Sequence, residues 1–119
     1  SLQQSRHNLR NLLLTYPGER VGNPEFGCRL REVCFEQHDE NLPTKIEDVI
    51  VEAVNQFLPY INVIDVQTLT EENQPEKIFV EIKYSTTLDP LVNQSLTLDA
   101  TDGTEIGGDD SSEGRPGGY

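Results

Sequence analysis

A chain of 119 residues with 34% hydrophobic residues and a formal charge of -12 suits one domain with one modest core. A field of that sign repels phosphate backbones and anionic lipid, so neither nucleic acid nor a membrane surface is an expected partner, whereas a basic protein is. No run approaches the roughly 20 apolar residues of a membrane span, and the opening SLQQSRHNLR has no apolar secretory run, so a soluble protein made in a reducing cytoplasm is expected.

The apolar deficit is uneven. From Thr101 onward the chain reads TDGTEIGGDDSSEGRPGGY, with Ile106 its one aliphatic residue. A segment with so little to bury does not offset its ordering entropy. The reading is therefore a folded unit over 1–100 and a flexible, acidic Gly/Asp/Ser-rich tail over 101–119.

Leu2, Leu9, Leu12, Leu13 and Leu14 give a partial apolar stripe that predicts a helix over 2–14. Its first turns, QQSRHN, are polar, as in helix ends completed by a partner. Tyr16-Pro17-Gly18 ends it, and Gly22 and Asn23-Pro24 mark a loop over 19–25. A second helix is predicted over 26–37, with Leu30, Val33 and Cys34 on its buried face and Phe26 and Phe35 joining it. HDENLP, residues 38–43, reads as a loop. Thr44-Lys45-Ile46-Glu47 has the form of a capping box. Ile46, Val49, Ile50, Ala53, Val54 and Phe57 follow at helical spacing until Pro59 stops the helix.

After Pro59 the period falls to about 2. Residues 60–70 read as a strand with apolar side chains on both faces. Residues 71–76 read as a polar turn. Residues 77–87 form the cleanest strand, with Ile78, Val80, Ile82 and Tyr84 inward and Phe79, Glu81, Lys83 and Ser85 outward. Asp89-Pro90 breaks it, and 94–100 can form a short last strand carrying Leu96, Leu98 and Ala100 on one face. Being last before the tail, this strand reads as an edge that another chain could complete. Three helices followed by about three strands predict an α+β fold, with the helices on one face of a small antiparallel sheet.

No catalytic constellation stands out: GxSxG, HExxH, the P-loop and CxxC are all missing. On one helix Cys28 and Cys34 would sit about 240° apart in azimuth, which forbids a disulfide. Cys34 and His38 could share a helix face, yet a structural zinc site needs about four ligands and the others are missing, so a small buried cysteine beside a helix-end histidine is favoured. Glu19 with Glu32 or Glu36 is the least unsuitable carboxylate pair for glycoside hydrolysis, which needs carboxyls about 5–10 Å apart across a cleft. In a chain with 21 acidic residues, solvated surface charge is the preferred explanation. Arg20, in the loop between two helices, could take a phosphate or carboxylate; pinning the loop through backbone carbonyls is preferred. No cofactor or metal is expected.

Several stretches carry a resemblance in order and spacing: Leu14-Thr15-Tyr16-Pro17-Gly18-Glu19-Arg20, then Pro24-Glu25-Phe26-Gly27, then the leucine-bearing Leu30-Arg31-Glu32-Val33-Cys34-Phe35-Glu36, a helix opening near Ile46-Glu47 and running through Ile50, Ala53 and Val54, and a strand ending Val80-Glu81-Ile82-Lys83-Tyr84. Over about residues 9–100 the chain resembles the phage baseplate wedge proteins that initiate the contractile sheath. That family is often labelled lysozyme-like and has a counterpart in type VI secretion baseplates. Where the family carries a Glu-Pro-Arg element tied to wedge attachment, this chain has Leu58-Pro59-Tyr60, so apolar and aromatic contact would replace an ion pair. The resemblance implies a non-enzymatic virion protein of the tail baseplate, assembled in the host cytoplasm, with several copies in a ring. It implies wedge contact through Leu9, Arg20, Leu58, Pro59 and Tyr60. It also implies β-augmentation by a sheath strand along Gln94, Ser95, Leu96, Thr97, Leu98 and Asp99. The alternatives are a lysozyme-like peptidoglycan hydrolase of a tail and an acidic adaptor or inhibitor.

Overall fold

The leucines of the first helix do converge on a core. The structure, a computed structural model, describes residues 2–36 and 39–106. Helix α1 spans Leu2–Leu14 and buries Leu9, Leu12 and Leu13. Helix α2 is shorter than expected, Leu30–Glu36, with Leu30 and Cys34 buried. Phe26 and Gly27 fall outside it because Gly27 has a φ of 141°, which a helix does not accept. Cys28 therefore does not share a helix with Cys34; both thiols are free and buried. His38 lies outside the described residues.

Helix α3 spans Leu42–Phe57 and begins a turn earlier than the capping box implied. Pro43 stands in its first turn, where a fixed φ favours the helix and no amide donor is missed. Asn41 occupies the N-cap position without a side-chain bond, and Lys45 donates its amide to the Asn41 carbonyl at 3.0 Å. Thr44 and Glu47 thus lie inside the helix, and the capping box is not what starts it. Ile46, Ile50, Ala53 and Val54 form the buried face, each large aliphatic contributing about 1.5–3 kcal/mol by leaving water.

Among the described residues the sheet has four strands in the order β1-β2-β3-β4, all neighbours antiparallel. Strands β1 (Ile61–Glu71) and β2 (Gln74–Thr86) are joined by the two-residue turn Glu72-Asn73. The mixed apolar pattern of β1 has a physical cause. Its register against β2 shifts between Val63 and Asp65, so Val63 faces Tyr84 and, past the irregularity, Val66 faces Ile82. A bulge of this kind swaps the inward parity, and Ile64 is left exposed. On β2 the expected inward residues Ile78, Val80, Ile82 and Tyr84 all join the core cluster, but Phe79 and Ser85, expected outward, are buried as well. Leu96 and Leu98 of β3 (Gln94–Asp99) complete it opposite the helices.

Strand β4 (Thr104–Ile106) falls in the segment expected to be a flexible tail. Its hairpin is organised by polar bonds, not by burial. Asp99 Oδ1 accepts the Thr101 hydroxyl at 2.6 Å and the Thr101 and Asp102 amides at 3.0 Å, while Lys77 Nζ reaches Asp99 Oδ2 at 3.3 Å and Asp102 Oδ2 at 2.8 Å. Gly103 supplies the positive φ of 74° that an Asp-Gly turn requires. The folded unit therefore extends to Ile106. Residues 107–119 lie outside the described part.

Burial by itself would raise the Asp99 pKa, but the Thr101 hydroxyl, the Asp102 amide and the Lys77 ammonium outweigh it and lower the value. A depressed folded pKa contributes stability that is complete above the unfolded carboxyl range, about pH 4, and is lost as pH falls through the folded value. Asp99→Asn is accordingly expected to flatten the acid limb of the stability profile. Urea unfolding of both proteins between about pH 2 and pH 6 checks this; parallel profiles would refute it.

Candidate functional site

The residues expected to meet a partner divide sharply between core and surface. Leu9 is 0% exposed and Leu58 only 8%, so neither can touch another chain while the fold is intact. Leu9 packs inward because it shares the Leu12 and Leu13 face of α1. Leu58 is held at the end of α3 by its amide bond to the Val54 carbonyl at 2.8 Å. Arg20 and Pro59 are exposed and Tyr60 is half-buried. The Tyr60 hydroxyl accepts a hydrogen bond from Asn8 Nδ2 at 2.8 Å, which ties the end of α3 to α1.

The loop bearing Arg20 is closed at its base. Cys28 donates its amide to the Thr15 carbonyl at 2.8 Å, and Gly18 donates across the loop to the Pro24 carbonyl at 2.7 Å. The closure depends on Gly27, where a Cβ would stand 2.6 Å from the Thr15 carbonyl oxygen and 2.8 Å from the Pro17 nitrogen. Arg20 is pinned through a ring, not through carbonyls as expected. Its guanidinium lies 4.2 Å from the centroid of Phe26, and Phe26 meets Phe57 edge-on at 5.3 Å. The loop is thereby braced on the C-terminal end of α3, which Pro59 and Tyr60 follow in the chain. Beside it a cleft of about 310 Å³ is lined by Pro17, Pro24, Glu25, Val49, Glu52 and Phe57, among others. The Cys28 thiol is pushed up to about 12 and the Cys34 thiol to about 11, chiefly by burial, which makes both poor nucleophiles.

A second groove, of about 500 Å³, collects the carboxylates weighed as a hydrolytic pair: Glu19, Glu32 and Glu36 line it with Tyr16, Arg31 and Phe35. Two of them are tied into the local hydrogen-bond network. Glu32 is bonded by the Tyr16 hydroxyl and by Arg29 Nη1 at 3.0 Å, and Glu19 accepts the Tyr16 amide. The Glu32 hydrogen bond also raises the Tyr16 pKa, with burial and the Glu32 charge adding to it. No group of three or more His, Cys, Asp and Glu fit for a metal occurs among the described residues, and no helix among them is long and apolar enough to cross a membrane.

The expected edge strand is not the outermost one. Strand β4 pairs with the second half of β3, setting Thr97 against Ile106, Leu98 against Glu105 and Asp99 against Thr104. Among the described residues β4 does not reach Gln94, Ser95 and Leu96, and Asp99 is buried in its turn. The reason is local: the Asp102-Gly103 turn folds the chain back onto β3. That dipeptide was the sequence signal for β4. Arg6 of α1 reaches the same region, with Nη1 2.6 Å from the Ser95 carbonyl and Nη2 2.7 Å from Glu105 Oε2.

Comparison with known proteins places this geometry. A family model described as "Baseplate wedge protein gp25" matches residues 2–91. Among solved structures, a protein described as a candidate tail lysozyme from Geobacter sulfurreducens is similar with a TM-score of 0.69 and 24% identity, over 83% of this chain and 91% of that one. A chain of the baseplate complex from the type VI secretion system has a TM-score of 0.59 and 16% identity, over 82% and 89%. A chain of the postcontracted pyocin R2 baseplate has a TM-score of 0.55 and 20% identity, over 71% and 81%. Among curated proteins no sequence matches.

Proposed function

The chain belongs to the baseplate wedge protein gp25 family, a structural baseplate component of contractile tail systems, and from that premise we propose that it acts without catalysis as the joint between wedge and sheath. The observation that carries the reading is the family match, which spans the three helices, β1 and β2. In this reading the surface of Arg20, Pro59 and Tyr60 docks on wedge helices, and the apolar and aromatic character of Pro59 and Tyr60 replaces an ion pair there. Within the expected edge Gln94 to Asp99 of β3, where β4 already pairs with Thr97 to Asp99, a strand of the first sheath ring adds at Gln94 to Leu96 by main-chain pairing in a set register. Several copies around a ring would set the radius and phase of the sheath. The similarity to the type VI secretion and pyocin baseplate chains supports the reading.

Cross-linking mass spectrometry on contractile particles purified from cells that make this chain is the test. Lys83 is exposed and lies opposite Ser95 in the sheet, so amine cross-links from it to sheath subunits are expected, with links from the α1 end to wedge proteins. Absence of the chain from the particles, or loss of cell-wall turbidity on adding the pure protein, would overturn the reading and favour a peptidoglycan hydrolase.

A further inference from the structure

The link between β2 and β3, residues 87–93, departs from the usual polar make-up of turns. Two β-turns follow one another there. The Asp89 amide donates to the Thr86 carbonyl at 3.2 Å, and the Val92 amide donates to the Asp89 carbonyl at 3.0 Å. Leu88 and Leu91 each stand third in a turn, where small or polar residues are usual. Pro90 fixes the backbone between them. Both side chains are held in solvent: Leu88 is 85% exposed and Leu91 94%, with Val92 beside it at 42%. Among the described residues the core cluster includes none of the three, so folding gains little from them. Apolar side chains that an ordered backbone presents to water mark a contact with another molecule.

The same loop is tied to the chain beyond α3. Thr87, next to Leu88, donates its amide to the Tyr60 carbonyl at 2.9 Å. This supplies what Leu58-Pro59-Tyr60 lacks. Apolar contact has to replace the charges there, yet Leu58 is buried and the Tyr60 hydroxyl is taken by Asn8. Only Pro59 and part of a ring remain, and Leu88, Leu91 and Val92 restore the apolar area. Charge narrows the partner. A second copy would bring another -12 and be repelled, as would a phosphate backbone or an anionic lipid surface. Asp89, between the two leucines, is exposed, and its carboxylate has no ion pair among the described residues. The complement of this loop is an apolar stripe with a basic residue beside it.

We propose that the loop over 87–93 is the apolar anchor of wedge docking: Leu88, Leu91 and Val92 seat against the apolar stripe of an amphipathic wedge helix, and Asp89 meets a lysine or arginine that flanks the stripe. This rests on the reading that the chain docks on wedge helices beside Pro59 and Tyr60. The ridges and grooves of such a helix offer hollows at the spacing of three and four residues, which suit leucines presented by successive turns. Because hydrogen bonds and Pro90 order the loop beforehand, binding costs it little backbone freedom. The Asp89 pair sets orientation more than strength, since an exposed ion pair is weak and is screened by salt.

Variants of the full chain test this. Leu88→Ser with Leu91→Ser is expected to keep the wild-type urea midpoint, because neither side chain is packed. Its retention on wedge proteins of the same particle is expected to fall about tenfold or more, the effect of one leucine no longer removed from water. Asp89→Asn is expected to weaken retention about threefold at low salt and not at high salt. A photoreactive benzoylphenylalanine in place of Leu91 identifies the partner directly, and its expected cross-link in particles is to a wedge helix; this readout decides the matter should the serine pair fold poorly. Full retention of the serine pair, or cross-links from position 91 to a sheath subunit or to a second copy, overturns the anchor. The docking reading still stands in that case if Pro59→Ala with Tyr60→Ala loses the wedge. If neither pair of substitutions weakens retention, the docking reading falls and the anchor with it. Asp89→Asn retained as wild type at low salt overturns the basic flank.

Discussion

Gly27→Ala is expected to destabilise the protein by about 2–5 kcal/mol, from backbone strain at positive φ together with overpacking against main-chain atoms. Gly27 sits at φ 141°, and its hydrogen already faces the chain it crosses. A Cβ would meet the Thr15 carbonyl oxygen at 2.6 Å, the Pro17 nitrogen at 2.8 Å and the Tyr16 carbonyl carbon at 2.9 Å. All three are backbone, so no side chain can swing aside. The same crossing carries the Cys28 amide bond to Thr15, which sets where Phe26 lies under Arg20. Gly18 is the internal comparison. Its φ is 101°, yet nothing lies within 4 Å of its added Cβ. Gly18→Ala should therefore cost only the conformational part, about 1–2 kcal/mol. Urea denaturation with an unchanged slope would measure both. A Gly27→Ala loss no larger than that of Gly18→Ala would show that the loop opens freely and that Arg20 is not positioned by it.

The same loop shows where sequence patterning runs out. Helices α1 and α3 and strand β2 were legible because burial alone drives them, and a buried face leaves a period in the sequence: Ile46, Ile50, Ala53 and Val54 at helical spacing, Ile78 to Tyr84 at alternation. Elements set by backbone geometry or polar bonds leave no such period. The start of α2 is placed by the dihedral of Gly27, so Phe26 fell on the wrong side of the boundary. The start of α3 is placed by Pro43 in its first turn, which outweighed the Thr44–Glu47 box. The two apolar faces of β1 became intelligible only through the bulge near Ile64. Strand β4 was missed because composition measures apolar burial, whereas this hairpin is held by the Asp99 turn bonds and the Glu105 ion pairs. For the residues proposed to dock, the sequence did not show which way their side chains point. Arg20 and Pro59 reach solvent and Tyr60 does so in part, but Leu9 and Leu58 point the other way.

That division yields the sharpest separation between folding and docking. Leu9→Ala is expected to cost about 2–5 kcal/mol, because a fully buried leucine loses both its transfer energy and its neighbours' contacts when a cavity is left. Leu9 is 0% exposed and sits in the cluster where α1 meets the rest of the core, so little can relax to fill the gap. Arg20→Ala should cost about 0.5–1 kcal/mol, the worth of an exposed cation–π contact, since its guanidinium touches Phe26 from outside. The two variants should behave in opposite ways in particles. Leu9→Ala should lower incorporation only in proportion to its loss of folded protein, and should recover at reduced temperature. Arg20→Ala should stay within about 1 kcal/mol of wild type by denaturation and still fail to be retained on wedge proteins in pull-down. If Arg20→Ala is retained fully while a Pro59→Ala, Tyr60→Ala double variant is not, wedge contact lies on the α3 end alone, and the loop serves to brace it. If all three residues can be truncated without loss, docking does not use this surface.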